Sequence, residues 1–158
     1  NTGMQAEYFE YAISAMINSQ SGNFNELMLR KCFANSKCLS ADVGAAMDPT
    51  YKEVSEPRNA PKANYGVMIC KYTGARGKSG SSDASAEFMG EVRKICKDND
   101  IVWQIGELGK VDEGGGGTVA QYVANRNIDT IDCGVPVLSM HAPFEIVAKM
   151  DVYMSYKL

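Results

Sequence analysis

Histidine is almost absent from this chain of 158 residues, since His141 is its only one. A single histidine excludes any site within this chain that needs two imidazole ligands. The five cysteines form no Cys-x-x-Cys pair; they occupy positions 32, 38, 70, 96 and 133. Because a thiolate zinc site needs closely spaced pairs, such a site is not expected. We expect free, buried thiols in a reducing compartment.

Long apolar runs and basic clusters are also lacking. No apolar segment approaches the roughly 20 residues that cross a bilayer, and the N-terminus has no basic-then-apolar signal pattern. The net charge is −3, and the basic residues are scattered among acids. Binding of polyanions needs clustered Lys and Arg. We therefore expect a soluble, cytoplasmic protein with neither nucleic acid nor a membrane as partner.

What the chain does contain is typical of one globular domain over residues 1–158, with 45% hydrophobic and 22% charged residues. Strand patterns alternate with helix patterns, which predicts an α/β fold with a largely parallel or mixed sheet. Strands are predicted at 37–43, 65–72, 101–106 and 130–139, the last interrupted around Pro136. Helices are predicted after Gln5, at 23–34, after Asp83, at 118–125 and from Glu145 onward.

Local signals add detail to this outline. Thr2 and Gln5 have the spacing of a capping box, and an apolar stripe follows from Phe9 to Ile17. Asp83 is predicted to cap the third helix. In the second helix, Phe24, Leu27 and Met28 are expected on one face. Residues 48–64 are expected to form a surface excursion, and 73–82 a mobile loop.

Two residues that can bind metal follow predicted strands. Asp42 ends the first strand and His141 follows the last, and ligands in α/β folds gather at the carboxyl ends of strands. A carboxylate and an imidazole are both natural ligands of borderline cations such as zinc. The alternative is local: Asp42 as a helix cap or Asx turn, and His141 as a loop histidine bonded nearby.

Gly114 to Gly117 place bare backbone before a predicted helix, where amides can point at a phosphate or a carbonyl oxygen. The loop lacks the Gly-Lys-Ser/Thr ending of a P-loop and the Gly-x-Gly-x-x-Gly fingerprint. No Gly-x-Ser-x-Gly elbow occurs either. The residues alone therefore predict an α/β chain in which an Asp and a His could bind metal and a glycine loop could bind a ligand through its backbone.

Three stretches together resemble the aspartyl aminopeptidase and vacuolar aminopeptidase I family of dinuclear zinc exopeptidases. One is Leu39-Ser40-Ala41-Asp42-Val43 with Asp48-Pro49, and the second is the glycine loop with its helix. The most specific runs from Asp132-Cys133-Gly134-Val135-Pro136 to Ser139-Met140-His141. The opening Asn1-Thr2-Gly3-Met4 is similar to the family's segment after its paired glutamates. The resemblance covers essentially all 158 residues.

This resemblance implies a partial α/β/α sandwich with a mixed, largely parallel sheet, the C-terminal portion of the catalytic domain. It implies that Asp42 binds one zinc ion and His141 the other, with cobalt or manganese as possible substitutes. Lys71, Gly115, Gly116 and Met140 would line the substrate site. The remaining ligands, including the general-base glutamate, would precede Asn1, so we expect the isolated chain to be inactive.

The resemblance also bears on substrates and assembly. Acid-preferring members carry a His where this chain has Ala45, and a Tyr near Ser79-Gly80-Ser81. Their absence favours peptides with neutral or hydrophobic N-terminal residues. Family members form large tetrahedral homo-oligomers. Two alternatives remain open: a non-catalytic assembly or binding module derived from this fold, and a phosphate-ligand protein that uses Gly114 to Gly117.

Overall fold

The computed structural model describes residues 3–75, 79–110 and 113–158. The helices are α1 (Tyr8–Ser21), α2 (Glu26–Ala34), α3 (Ala86–Asp98), α4 (Ala120–Ala124) and α5 (Lys149–Lys157), with a 3-10 helix at Lys52–Val54. The strands are β1 (Lys37–Ala41), β2 (Gly44–Ala45), β3 (Val67–Cys70), β4 (Tyr72–Ala75), β5 (Ser79–Asp83), β6 (Trp103–Ile105), β7 (Asp129–Gly134), β8 (Pro136–Leu138) and β9 (Ile146–Val147). No helix among the described residues is long and apolar enough to cross a membrane.

The main sheet has four strands in the order β1-β7-β3-β6. The pairs β1–β7 and β3–β6 are parallel, whereas β3–β7 is antiparallel. All four residues of β3 are buried, as its continuous apolar run predicts. The expected α/β class with a mixed, largely parallel sheet is confirmed.

Helices cover the two faces of this sheet. Ile131 and Cys133 of β7 pack into an apolar cluster with α3, whose Phe88, Val92 and Cys96 are buried. Because side chains alternate along a strand, Thr130 and Asp132 face the opposite side. There a second cluster joins α2, α4 and the apolar stripe of α1. The result is the layered α/β/α arrangement.

The first two helices pack through aromatic side chains. The rings of Phe9 in α1 and Phe33 in α2 stack at 5.6 Å between centroids. The predicted capping box at Thr2 and Gln5 is wrong, because α1 begins at Tyr8 with Glu7 in the N-cap position. In α2 the predicted grouping is wrong for Leu27, which is 61% exposed, whereas Leu29 and Phe33 are the buried residues of the helix. The helix begins at Glu26 with Asn25 as its cap, later than the predicted start at 23.

Two predictions around the third helix are corrected. The segment expected to be a mobile loop at 73–82 contains strands β4 and β5, paired antiparallel as a hairpin; residues 76–78 lie outside the described residues. The cap of α3 is Ser85 rather than Asp83, because the Ser85 hydroxyl accepts a hydrogen bond from the amide of Phe88 at 3.2 Å. The carboxylate of Asp83 pairs instead with Lys71.

The C-terminal helix starts later than predicted. Ile146 and Val147 form β9, which pairs antiparallel with β8, and α5 begins only at Lys149. Asp151, in its first turn, is fully buried, and its two carboxylate oxygens accept the amides of Asn64 and Gly66 at 2.6 and 2.7 Å. This contact fixes α5 to the loop before β3. Within the predicted surface excursion 48–64, Ala60 and Pro61 are buried, so part of it belongs to the core.

Candidate functional site

Asp42 lies directly after β1, where that strand runs parallel to β7. Its amide donates to the carbonyl oxygen of Cys133 at 2.9 Å, so the backbone of this segment continues along β7. The approach is close enough that a Cβ on Gly134 would lie 1.5 Å from the Asp42 carbonyl oxygen. Glycine is therefore required at 134. The exposed carboxylate accepts the Val43 amide through Oδ1 at 2.8 Å and lines a cavity of about 1190 Å³.

A second carboxylate, Asp132, lies on the neighbouring strand β7, close enough to Asp42 for the two charges to interact. It pairs in register with Ser40 and is only 5% exposed. Burial raises the pKa of the Asp132 carboxyl, the hydroxyls of Thr118 and Ser40 lower it, and the Asp42 carboxylate raises it. Among the described residues, no group meets hydrogen-bond geometry with Asp132 Oδ1 or with the Ser40 hydroxyl. The sequence signal that could identify this buried acid is an aspartate within a strand that is otherwise largely apolar.

His141 belongs to a tight turn that follows β8. Strand β8 pairs parallel with β2, the short strand just after Asp42, with Gly44 opposite Pro136 and Ala45 opposite Val137. The interruption predicted near Pro136 is confirmed, because β7 ends at Gly134 and β8 begins at Pro136. Proline has no amide hydrogen to continue a ladder. The two strands β2 and β8 thus carry the segments of both candidate ligands side by side.

The turn itself has an unusual backbone. Ser139 and His141 have φ angles of 58° and 67°, in the left-handed region that residues other than glycine rarely adopt. The Ala142 amide donates to the Ser139 carbonyl oxygen at 3.0 Å, and the His141 amide donates to Glu145 Oε1 at 2.5 Å. The imidazole of His141 is exposed at the end of this turn.

A second cavity, of about 500 Å³, gathers most of the predicted substrate-site residues. Gly115, Gly116, Met140 and His141 all line it. The rest of its wall is mainly apolar, with Ala45, Ala46, Tyr51, Val54, Leu108 and Val137. Asp48 is the one carboxylate among its described lining residues. Residues separated in sequence by the sheet strands are therefore brought together around one opening.

The glycine loop is held by a close backbone approach. A Cβ on Gly109 would lie 2.8 Å from the Gly115 nitrogen, and Gly109 has a φ of 78°. Gly115 has a φ of 136°, so a side chain would be strained there too. The helix α4 that follows has five residues, too short to favour the phosphate alternative through a helix dipole.

Two predicted residues lie apart from this second cavity. Asp42 lines the first cavity, together with Gly117, Thr118 and the start of α1. Lys71 lines neither cavity in the described part of the chain. Its ammonium group pairs with Asp83 and donates to the Ala84 carbonyl oxygen at 2.9 Å, which joins β3 to the start of α3.

The candidate ligands fit zinc by donor chemistry but are few. Asp42 and His141 offer an exposed carboxylate and an exposed imidazole, both donors that zinc takes. Zinc sites use three or four protein ligands. Within the ranges that the structure describes, no three or more His, Cys, Asp or Glu side chains are grouped in a way that could hold a metal. The chain thus offers part of a ligand set.

Comparison with known proteins identifies the family of this chain. Residues 1–158 match the family described as aminopeptidase I zinc metalloprotease (M18). A "Probable M18 family aminopeptidase 1" from Clostridium acetobutylicum is 50% identical over 152 residues, which cover 96% of this chain and 32% of that protein. This chain therefore spans about a third of the length of such relatives.

Solved structures agree with this match. A crystal structure of an M18-family aminopeptidase from Thermotoga maritima aligns with a TM-score of 0.93 at 45% identity, covering 99% of this chain and 35% of that one. A structure of the S. cerevisiae mApe1 dodecamer aligns with a TM-score of 0.70 at 22% identity, covering 98% and 32% respectively. The second similarity shows the fold alone.

Proposed function

The chain belongs to the M18 family of aminopeptidase I zinc metalloproteases, and from that premise we propose that it forms the C-terminal portion of a two-zinc aminopeptidase. The enzyme would release N-terminal residues from peptides. One observation carries the proposal: a single cavity is lined by Gly115, Gly116 and Met140, three of the residues expected at the substrate site, together with His141, an expected metal ligand. Residues 1–158 would act as a single folded unit within that catalytic domain.

The roles of the residues follow from their positions. Asp42 and His141 would each hold one metal ion, and Gly115 and Gly116 would offer backbone beside the bound peptide. When bound, the metal ions would lower the pKa of a water molecule and polarise the scissile carbonyl. Met140 would pack beside the metal site, and Lys71 would contribute to the substrate pocket once its contact with Asp83 is released.

The cavity beside His141 supports a neutral or hydrophobic N-terminal residue. Its wall is mainly apolar, and Asp48, the one carboxylate among the described lining residues, would repel an acidic side chain. Ala45 is part of the same wall, at the position where acid-preferring relatives carry a polar group.

We further propose that this chain alone is inactive. Asp42 and His141 are two ligands, and the general-base glutamate and other ligands would come from parts of the enzyme outside these 158 residues. The free state of all five cysteines supports a cytoplasmic enzyme. Exposed apolar residues on α1, β9 and α5 support assembly into a homo-oligomer.

A chimera tests this proposal directly. The matching segment of the Clostridium acetobutylicum aminopeptidase would be replaced by this chain, and zinc-dependent hydrolysis of leucine p-nitroanilide would be measured. We expect activity in the chimera and none in the isolated chain. Asp42→Asn and His141→Gln should each lower kcat/KM by about 100-fold, since each removes a metal ligand. Glu87→Ala, on the exposed face of α3, is the matched control.

A non-catalytic assembly or binding module is the second candidate. It is favoured by one observation: Asp42 and His141 line different cavities in this chain. A folded chimera without zinc-dependent activity would support the module over the enzyme. Robust metal-dependent turnover by the isolated chain would instead contradict the proposed need for outside residues.

A further inference from the structure

Glu145 is the one side chain that the structure shows holding the backbone at His141. Its Oε1 accepts the His141 amide at 2.5 Å, and no other contact of this carboxylate is described. The acceptor is a charged group, and such hydrogen bonds are roughly twice as strong as neutral ones. The bond closes a loop of five residues, from His141 to Glu145.

The adjacent strands place Glu145 for this contact. In the β8–β9 pair, Leu138 lies opposite Ile146 and Val137 opposite Val147. Glu145, the residue just before β9, therefore lies opposite Ser139, where the turn begins. The strand pairing therefore sets the position of Glu145. The turn from Ser139 to Ala142 has only one backbone hydrogen bond of its own, from the Ala142 amide to the Ser139 carbonyl oxygen.

The backbone at this turn needs such support. Ser139 and His141 both have φ angles in the left-handed region, and this conformation is unfavourable for residues with a Cβ. Such outliers persist when surrounding contacts determine them, and they cluster at functional sites. Without a partner for its amide, His141 would be free to return to the common φ region. That rotation would carry the imidazole away from the cavity it lines.

From this geometry we propose that Glu145 is a positioning residue: by binding the His141 amide, it fixes the left-handed turn that presents the imidazole to the cavity. The inference rests on the proposed function, in which His141 is a metal ligand. Glu145 touches neither substrate nor metal in this role. It acts through the backbone of His141 alone.

The only histidine of the chain makes the test specific. In the 158-residue chain, every imidazole NMR signal belongs to His141, so its ring reports without ambiguity. The amide proton of His141 and the imidazole signals would be recorded for the wild type, Glu145→Gln, Glu145→Asp and Glu145→Ala. Glu87→Ala, an exposed glutamate on α3, is the matched control. Zinc would then be titrated while the ring signals are followed.

The expected pattern separates positioning from a general effect on the fold. Glu145→Gln keeps an acceptor at the same reach, so the His141 amide should remain downfield, as in the wild type. Glu145→Ala and Glu145→Asp should move it upfield and speed its hydrogen exchange by about tenfold or more. Outer partners of metal ligands change affinity by about 10- to 100-fold, so we expect about tenfold weaker zinc binding in these two variants. Circular dichroism of all variants should match.

Two outcomes overturn the inference. One is an Ala variant whose His141 amide and imidazole signals coincide with the wild type. The other is a Gln variant that behaves like Ala. If Glu145→Ala fails to fold, the Asp and Gln pair decides. A third outcome separates the two proposals. If the imidazole signals of the wild-type chain do not shift when zinc is added, but the His141 amide responds to the variants as expected, the metal role of His141 is contradicted. The positioning role of Glu145 is then still supported.

Discussion

At the scale of single residues, the two carboxylates at the end of the parallel strands have opposite environments. Asp42 is exposed directly after β1, and Asp132 is buried on β7. Burial is the main cause that raises the pKa of Asp132, whereas the Asp42 carboxylate lines an open cavity. The candidate ligand Asp42 therefore lies two positions beyond Ser40, the residue that is in register with the buried acid Asp132.

Asp48 can be tested as a determinant of specificity. In the active chimera, Asp48→Asn removes the one carboxylate from the described cavity wall. The loss of like-charge repulsion should raise kcat/KM for aspartyl or glutamyl p-nitroanilide by about tenfold, which is about 1.4 kcal/mol. The value for the leucyl substrate should change little. Asp98→Asn, at an exposed position of α3, is the control. An unchanged kcat/KM for the acidic substrates in Asp48→Asn would contradict this role.

The buried thiols predict a pH dependence of stability. Burial raises the pKa of Cys70 to about 12 and that of Cys133 to about 11, both from 9.0. Above pH 9 the unfolded thiols lose protons while the folded ones keep them, so the free energy of unfolding falls as pH rises. The slope is about 1.4 kcal/mol per pH unit for each thiol.

This fall would be measured by urea unfolding between pH 8 and pH 10.5 (about one and a half units above the unfolded pKa). Cys70→Ala should reduce the slope by about 1.4 kcal/mol per pH unit, whatever its effect on stability at pH 8. Cys32→Ala, at a half-buried position on α2, is the control. A wild-type stability that does not fall across this range would contradict the raised pKa values.

At the scale of elements, contacts distant in sequence decide where helices and strands begin. The 73–82 segment has no apolar periodicity, yet it forms the β4–β5 hairpin because cross-strand backbone bonds do not require it. Similarly, β9 replaces the predicted start of α5, since pairing with β8 supplies its hydrogen bonds. Side-chain periodicity therefore predicts buried elements better than exposed ones.

The position of α5 depends on the buried carboxylate of Asp151. Asp151→Ala would leave the amides of Asn64 and Gly66 without their acceptor, and we expect a loss of about 3 kcal/mol in the free energy of unfolding. Asp151→Asn retains one acceptor oxygen and should lose about half as much. Urea unfolding measures both. Asp98→Ala breaks only an exposed pair with Lys94 and should cost less than about 1 kcal/mol; equal losses would contradict the special role of Asp151.

At the scale of the whole molecule, the C-terminal part exposes many apolar side chains. Phe144 is 86% exposed and Tyr156 84%, and the strand β9 lies at the edge of its three-stranded sheet. Edge strands and apolar patches of this kind promote association. The molecule as described therefore has a surface suited to further protein contacts.

Self-association of the isolated chain follows from this surface. Sedimentation velocity should show dimers or larger species whose fraction rises with protein concentration. Ile146→Lys places a charge on the edge strand and should shift the distribution toward monomer. Lys52→Glu, on the exposed 3-10 helix, changes charge elsewhere and serves as the control. A wild-type chain that stays monomeric at high concentration would contradict the prediction.

Much of this architecture could be predicted from residue patterns. The continuous apolar run of β3, the amphipathic α3 and the break at Pro136 each reflect local chemistry, so the α/β class followed from the sequence. The motifs around Asp42 and His141 identified the family by themselves. The grouping of Gly115, Gly116, Met140 and His141 at one cavity agrees with the resemblance, while their roles stay predictions.

Other features depend on contacts that no local pattern contains. The sequence by itself determined the elements that bury a continuous apolar face, because that burial follows from periodicity and the hydrophobic effect. Only the tertiary structure decided that Asp132 is buried near Asp42, that Asp151 binds two distant amides, and that Glu145 accepts the His141 amide. These polar groups come into contact because strand pairing and chain turns bring together residues from different segments. Their partners are set by the folded geometry of the backbone, which residue identities alone do not specify.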